Sequence, residues 1–231
     1  MNNYSYNLEE MAKCINNRTK LIYLANPDNP TGTYFTKQEF DNFMENVPNR
    51  ILVILDEAYY EYAAHIKDYP DSMLYRYDNV ITLRTFSKIH GLAGFRVGYG
   101  FAHDELIKYL MTVKLPFEPS IPAQIVALSA LEDDSHHNIS LENNKIGMER
   151  MTDFFDKNNF NYIPSCANFI TLKFDNDKIS EFFSSDLLSK GIIVRNLKSF
   201  GLSEYVRITI GTPGEIDVLF EKINKMESIL D

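Results

Sequence analysis

Lys88 follows Thr85-Phe86-Ser87, and Asp56 follows the apolar run Ile51-Leu52-Val53-Ile54-Leu55. An amine and a carboxylate so placed can divide an acid–base task. A deprotonated lysine amine forms imines with carbonyl compounds. A carboxylate opposite a pyridine nitrogen keeps that ring protonated, which makes it a stronger electron sink. Asp56 and Lys88 are therefore candidates for those two roles around pyridoxal 5′-phosphate, with Arg96 close by in sequence. Taken singly, Lys88 reads as a solvated surface lysine and Asp56 as a loop carboxylate or helix cap. The chemical reading depends on elements that bring the two to one place.

Those elements are legible. Leu21–Ala25 is apolar throughout, as a strand covered on both faces should be. The turn-rich Asn26-Pro27-Asp28-Asn29-Pro30-Thr31-Gly32 follows it. Thr36 with Glu39 spells a capping box, and Phe40, Phe43, Met44 and Val47 mark one face of a helix that Pro48 ends. Ile51–Leu55 is a second strand, so strand, helix and strand form a βαβ unit whose strands are parallel. Val80–Leu83 is a third strand, and Val97–Phe101 is strand-like. In an open parallel sheet, ligands bind beyond the carboxyl ends of the strands. Asn29, Asp56 and Ser87-Lys88 follow the first three strands, which gathers an amide, a carboxylate and an amine along one edge.

Farther on, Asp104 is expected to cap a helix carrying Leu106, Ile107, Leu110 and Met111, and Pro122 to open one through Ile125, Leu128 and Leu131. Glu132–His137 reads as a polar loop, followed by a helix around Ile146, Met151, Phe154 and Phe155. Strands are expected at Phe169–Leu172, Ile192–Val194 and Tyr205–Ile210. Helices should cover Ile179–Lys190 and a C-terminal face of Ile216, Leu219, Phe220, Ile223 and Leu230. The fold class is α/β: residues 1–142 form a mainly parallel-sheet domain with flanking helices, and residues 143–231 a smaller α+β domain.

Across 231 residues, 23 Lys and Arg face 32 Asp and Glu, a net charge of −9 that argues against nucleic-acid binding. No apolar run approaches the roughly 18 residues of a membrane span. The first residues lack the basic and apolar regions of a signal peptide, so a cytoplasmic protein is expected. Cys14 and Cys166 belong to no cluster and read as reduced, buried thiols. None of His65, His90, His103, His136 and His137 has a partner four residues away, so no metal site is expected. Gly91-Leu92-Ala93-Gly94 lacks the spacing of a dinucleotide-binding loop.

Asn26–Gly32, Asp56-Glu57-Ala58-Tyr59 and the run from Thr85 to Tyr99 occur in series at suitable intervals. Together they resemble the fold-type-I pyridoxal-phosphate aminotransferases of class I/II, and within them the histidinol-phosphate branch. The resemblance runs from about Tyr6 to the C-terminus. It implies that Lys88 carries the cofactor as an imine and, once displaced by substrate, moves the proton between Cα and the cofactor. Asp56 would pair with the pyridine nitrogen, and Asn29 and Tyr59 with the phenolic oxygen. Thr85, Ser87 and Arg96 would hold the phosphate. Arg207 would grip the acidic group of the substrate, with Arg195 and Asn168 assisting.

The implied reaction is transamination from histidinol phosphate to 2-oxoglutarate, by a homodimer. Alternatives that share the motifs are an aromatic-amino-acid aminotransferase and a phospho-amino-acid decarboxylase; of another class is a non-catalytic fragment or assembly subunit. The family's large sheet also draws strands, a phosphate-binding helix start and a stacking aromatic from sequence upstream of the residues matched here. The resemblance therefore implies a chain truncated at its N-terminus, with an incomplete large domain.

Overall fold

The computed structural model of the chain describes residues 4–226. Two compact units divide it: Met1–Asp28 with Tyr34–Asn138, and Asn29–Thr33 with Ile139–Asp231.

The first unit begins with helix α1 (Leu8–Lys13), strand β1 (Leu21–Ala25), helix α2 (Lys37–Met44) and strand β2 (Leu52–Asp56). A short α3 (Tyr60–Ala63), then β3 (Val80–Thr85) and β4 (Gly98–Ala102), complete the sheet region. Helices α4 (Asp104–Val113) and α5 (Ile121–Leu131) follow, and α6 (Asp134–Lys157) starts here. The sheet order is β1-β2-β3-β4. β1, β2 and β3 run parallel, as the crossover through α2 requires, and β4 is antiparallel to β3.

The capping box at Thr36 and Glu39 forms as expected and starts α2. Phe40, Phe43 and Met44 then face Ile22, Leu24, Val53 and Leu55 across a buried core. The helix stops at Glu45, short of Pro48, yet Val47 still packs in that core. Only one face of β1 is covered: Leu21 and Tyr23 remain 50% and 48% exposed. The uniform apolarity of β1 therefore does not mean burial on both faces. Cys14 is exposed, contrary to its reading as a buried thiol.

Three further differences have local causes. His103, not Asp104, is the N-cap of α4, and its Nδ1 accepts from the Glu105 amide at 3.4 Å. Helix α6 absorbs most of the expected Glu132–His137 loop because Asp133 Oδ1 accepts the His136 amide at 2.9 Å and the Asp133 carbonyl accepts that of His137. Ile192–Val194 forms no strand; pairing is confined to Arg195–Asn196, and Ile193 is 86% exposed.

The second unit holds the rest of α6 with β5 (Asn161–Ile163), β6 (Phe169–Lys173), α7 (Asp177–Ser189), β7 (Arg195–Asn196), β8 (Tyr205–Thr209) and α8 (Pro213–Asn224). Its sheet, ordered β5-β6-β8-β7, is antiparallel throughout. Ile170, Leu172, Val206 and Ile208 on one face pack with Met151, Phe155, Phe183, Leu187, Ile216 and Leu219 from the helices. Helix α7 lies where a helix is expected, Ile216, Leu219, Phe220 and Ile223 form the expected face of α8, and Phe154 stacks on Phe220 with centroids 4.0 Å apart. Leu230 lies outside the described residues.

On the opposite face of β6 the segment Asn29–Thr33 is stitched in. Thr171 Oγ1 donates to the Pro30 carbonyl at 2.7 Å, and the Cys166 amide and thiol donate to the Gly32 carbonyl at 2.9 and 3.2 Å. Burial pushes the Cys166 thiol up to about 12, so it stays protonated and able to donate. Gly32 has φ +76°, and a Cβ there would lie 2.0 Å from Ser165 Oγ. Gly32→Ala should therefore lower stability by about 2 kcal/mol or more, read as a shift in urea midpoint. An unchanged midpoint would show that the segment is not held in this conformation.

Candidate functional site

In the first unit, strand register decides where the reactive groups stand. Asp56 ends β2, opposite Ala25 of β1 and Leu83 of β3. Its Oδ1 accepts the Ala58 amide at 3.1 Å, and its Oδ2 accepts the Tyr23 hydroxyl. Burial and that carboxylate together push the Tyr23 phenol above its ordinary value, which keeps it a donor. Tyr59, three residues past Asp56, is buried as the N-cap of α3. Lys88 Nζ lies 5.0 Å from the centre of its ring. An amine against a buried aromatic face, beside a carboxylate turn, is thus built from the exits of β2 and β3.

Glu57 and Arg84 brace this edge. Arg84 Nε and Nη2 approach Glu57 Oε2 at 2.9 and 2.8 Å, and the guanidinium lies 3.4 Å from the Tyr60 ring centre. Burial pushes the Glu57 carboxyl up to about 7 against the downward pull of Arg84. A pair this enclosed holds the residues after β2 in place.

The exit of β3 continues the edge. Thr85 Oγ1 accepts the Ser87 amide at 3.1 Å, fixing the turn that presents Lys88. Thr85 pairs with Gly98 across the antiparallel β3–β4 ladder. Arg96, two residues before Gly98, therefore lies beyond the same end of the sheet as Ser87. It adopts a left-handed conformation at φ 53°, is exposed, and donates from Nη1 to the Ala93 carbonyl at 2.8 Å. Two hydroxyls and a guanidinium thus follow one end of the sheet, a donor set suited to an oxyanion.

The remaining predicted residues belong to the second unit. Asn29 lies in the stitched segment, where its Oδ1 accepts from Arg207 Nη1. Its position past β1 was readable, but the Arg207 partner was not. Arg207 in β8 lies over the Phe169 ring at 4.8 Å, and its Nε is buried without a hydrogen-bond partner. Arg195 of β7 is directly opposite Arg207 in the ladder, exposed, with Nη2 donating to Ser199 Oγ at 3.4 Å. Like charges directly opposite each other in a sheet repel, so an anion shared between them would relieve the pair. Asn168 precedes β6, and its carbonyl accepts the Ile210 amide at 2.9 Å.

Tyr23 was not singled out from sequence. Its signal was the two-residue period of β1, which puts Tyr23 on the face of Ala25, the partner of Asp56. A cavity of about 740 Å³ between α1 and α2 includes neither Asp56 nor Lys88.

Residues 1–223 match the family described as aminotransferase class I and II. Histidinol-phosphate aminotransferase 2 of Carboxydothermus hydrogenoformans is 41% identical over 226 residues, covering 97% of this chain and 61% of that relative. A histidinol-phosphate aminotransferase of Brevibacillus brevis is 43% identical over 225 residues, covering 96% and 60%. A solved histidinol-phosphate aminotransferase from Sinorhizobium meliloti, in complex with pyridoxal-5′-phosphate, is similar with a TM-score of 0.81 at 29% identity. That match covers 90% of this chain and 58% of the other. The chain spans about three fifths of the length of the curated relatives it matches.

Proposed function

The chain belongs to the class I and II aminotransferases, and from that premise we propose that it takes part in pyridoxal-phosphate-dependent transamination from histidinol phosphate to 2-oxoglutarate, a step of histidine biosynthesis. The observation that carries the reading is the shared edge at which Asp56 and Lys88 follow adjacent parallel strands, with the Lys88 amine against the Tyr59 ring. The groups present fit the cofactor: a carboxylate for a pyridine nitrogen, an amine for an aldehyde, and Thr85, Ser87 and Arg96 for a phosphate. Bound there, the cofactor would supply the electron sink that makes the substrate Cα–H acidic.

The chain's own residues do the rest. Lys88 Nζ would hold the cofactor covalently and, once free, would take the proton from the substrate Cα and later return one. Asp56 keeps the pyridine nitrogen protonated, and Ala58 and Tyr23 orient its two oxygens. Tyr59 would stabilise the phenolate, the role the resemblance also gives to Asn29. Arg96 with the two hydroxyls anchors the cofactor phosphate. Arg207 and Arg195, opposite each other in the ladder, would with Asn168 take the acidic group of the substrate, two positive charges that favour a phosphate over a neutral side chain.

The test is an assay of the purified chain with pyridoxal phosphate, histidinol phosphate and 2-oxoglutarate, beside phenylalanine as the alternative donor. Turnover should favour the phosphorylated donor; no turnover, or a preference for phenylalanine, would reject the reading. Arg207→Leu should raise KM for histidinol phosphate roughly 10- to 100-fold, as loss of a charge-assisted bond predicts, and affect phenylalanine less. An equal effect on both donors would assign Arg207 to some other role.

The reading includes a cytoplasmic homodimer. Its support is the unpaired state of Cys14 and Cys166 and an apolar surface running from α4 into α5. Val113, Leu115, Phe117, Ile121, Ile125 and Leu128 are exposed there, Phe117 at 95%. A second copy covering this surface should sediment as a dimer, and Leu128→Glu should shift it to monomer. A chain that sediments as a monomer at all concentrations rejects the dimer. Among the described residues no helix is long and apolar enough to cross a membrane.

A further inference from the structure

Lys88 opens a tight turn. The Gly91 amide donates back to the Lys88 carbonyl at 2.9 Å, and Gly91 completes the turn with φ +70°. Ile89 and His90 are its central residues. Ile89 is buried, while the His90 ring lies between Phe86 at 5.1 Å and His137 at 6.1 Å, centre to centre. The Leu92 amide returns to the Phe86 carbonyl at 2.9 Å and closes the loop.

The two central residues are held by consecutive histidines in the first turn of α6. His136 Nε2 is 3.0 Å from the Ile89 carbonyl oxygen. A carbonyl only accepts, so Nε2 must carry the proton, and it does so in either the matching neutral tautomer or the imidazolium. The ring also lies over Gly91, where a Cβ would meet Nε2 at 3.8 Å, an ordinary contact. The place of the ring is set in turn by the Asp133 cap on the His136 amide. Burial, with His137 and His136 alongside, pushes the His90 imidazole below its ordinary value, so it packs on Phe86 as a neutral ring. Glu61 Oε1, 4.0 Å from His90 Nε2, is itself pushed up by burial.

We propose that His136 is a positioning residue for Lys88: its hydrogen bond to the Ile89 carbonyl fixes the turn that carries the amine. This rests on the function proposed above. An amine that must leave a carbon centre and come back to it needs a fixed backbone, since displacements near 1 Å can cost about 100-fold in rate. The sequence hides this role, because His136 lies 47 residues from Ile89 in a stretch that reads as a polar loop.

The test compares His136→Leu, which fills the space without a donor, with His136→Gln, which keeps an N–H at similar reach. Two quantities are read: amide-hydrogen exchange at Gly91, and the rate at which pyridoxal phosphate attaches to Lys88. In attachment the amine nitrogen and aldehyde carbon join with loss of water, and borohydride reduces the new C=N bond for counting by mass. His136→Leu should speed Gly91 exchange and slow attachment, each roughly tenfold, and His136→Gln should stay within about threefold of the unaltered chain. Unchanged values in His136→Leu, identical behaviour of both variants, or faster exchange spread evenly over β3 and α5 would each overturn the proposal. If the unaltered chain takes up no pyridoxal phosphate, the proposed function fails instead. Gly91 exchange then decides the role of His136 by itself: faster in His136→Leu alone supports it, unchanged overturns it.

Discussion

Lys88→Ala is expected to remove the near-visible absorbance that pyridoxal phosphate gives when joined to the chain, and to lower turnover by about 10⁴-fold or more. The covalent hold disappears with the amine. So does the group that moves the Cα proton, itself a contribution of about 10²–10⁴-fold. The side chain packs against the Tyr59 ring and pairs with no carboxylate among the described residues, so its loss should leave the melting transition close to that of the unaltered chain. Added free amines such as methylamine should restore part of the proton transfer. An absorbance band that persists in Lys88→Ala would remove this residue from its place in the reaction.

Asp56→Asn carries the second large effect. Asparagine can keep both anchoring contacts, its oxygen accepting the Ala58 amide and its NH₂ donating to the Tyr23 oxygen, so the edge of the sheet should stay in place. What changes is charge. A neutral partner no longer holds the pyridine nitrogen protonated, and loss of one such electrostatic contribution costs about 10²–10³-fold in kcat. The variant should retain cofactor, shift its absorbance and lose most turnover. Near-normal turnover would count against the pairing, and loss of all cofactor would show that Asp56 chiefly provides affinity.

The first half of the chain was legible because its signals are local. Thr36 and Glu39 cap α2 through groups three residues apart, whereas the alternating burial of β1 is hidden by its uniformly apolar residues. Asp56 and Lys88 could be placed on one edge because each follows a strand, and parallel strands end on the same side. The sequence was silent where a contact is distant or a helix lacks an apolar stripe. Asn29 and Arg207 meet across 178 positions, and no local pattern announces that. The start of α6 is polar because it is exposed, so its sequence resembles a loop although Asp133 caps it. Ile192–Val194 showed the opposite error: β-branched residues favour a strand, but without a paired neighbour they form none.

The segment Asn29–Thr33 imposes an order of events on folding. Pro30 is synthesised 141 residues before Thr171, the hydroxyl that clasps its carbonyl. The second unit is therefore completed only when a short piece of early chain returns to the back of β6. Loop closure over such a separation is entropically costly and slow. A polypeptide starting at Ile139 should refold with an uncovered Thr171 and an open slot. A synthetic peptide matching Asn29–Thr33, supplied in trans, would be the natural reagent to fill it.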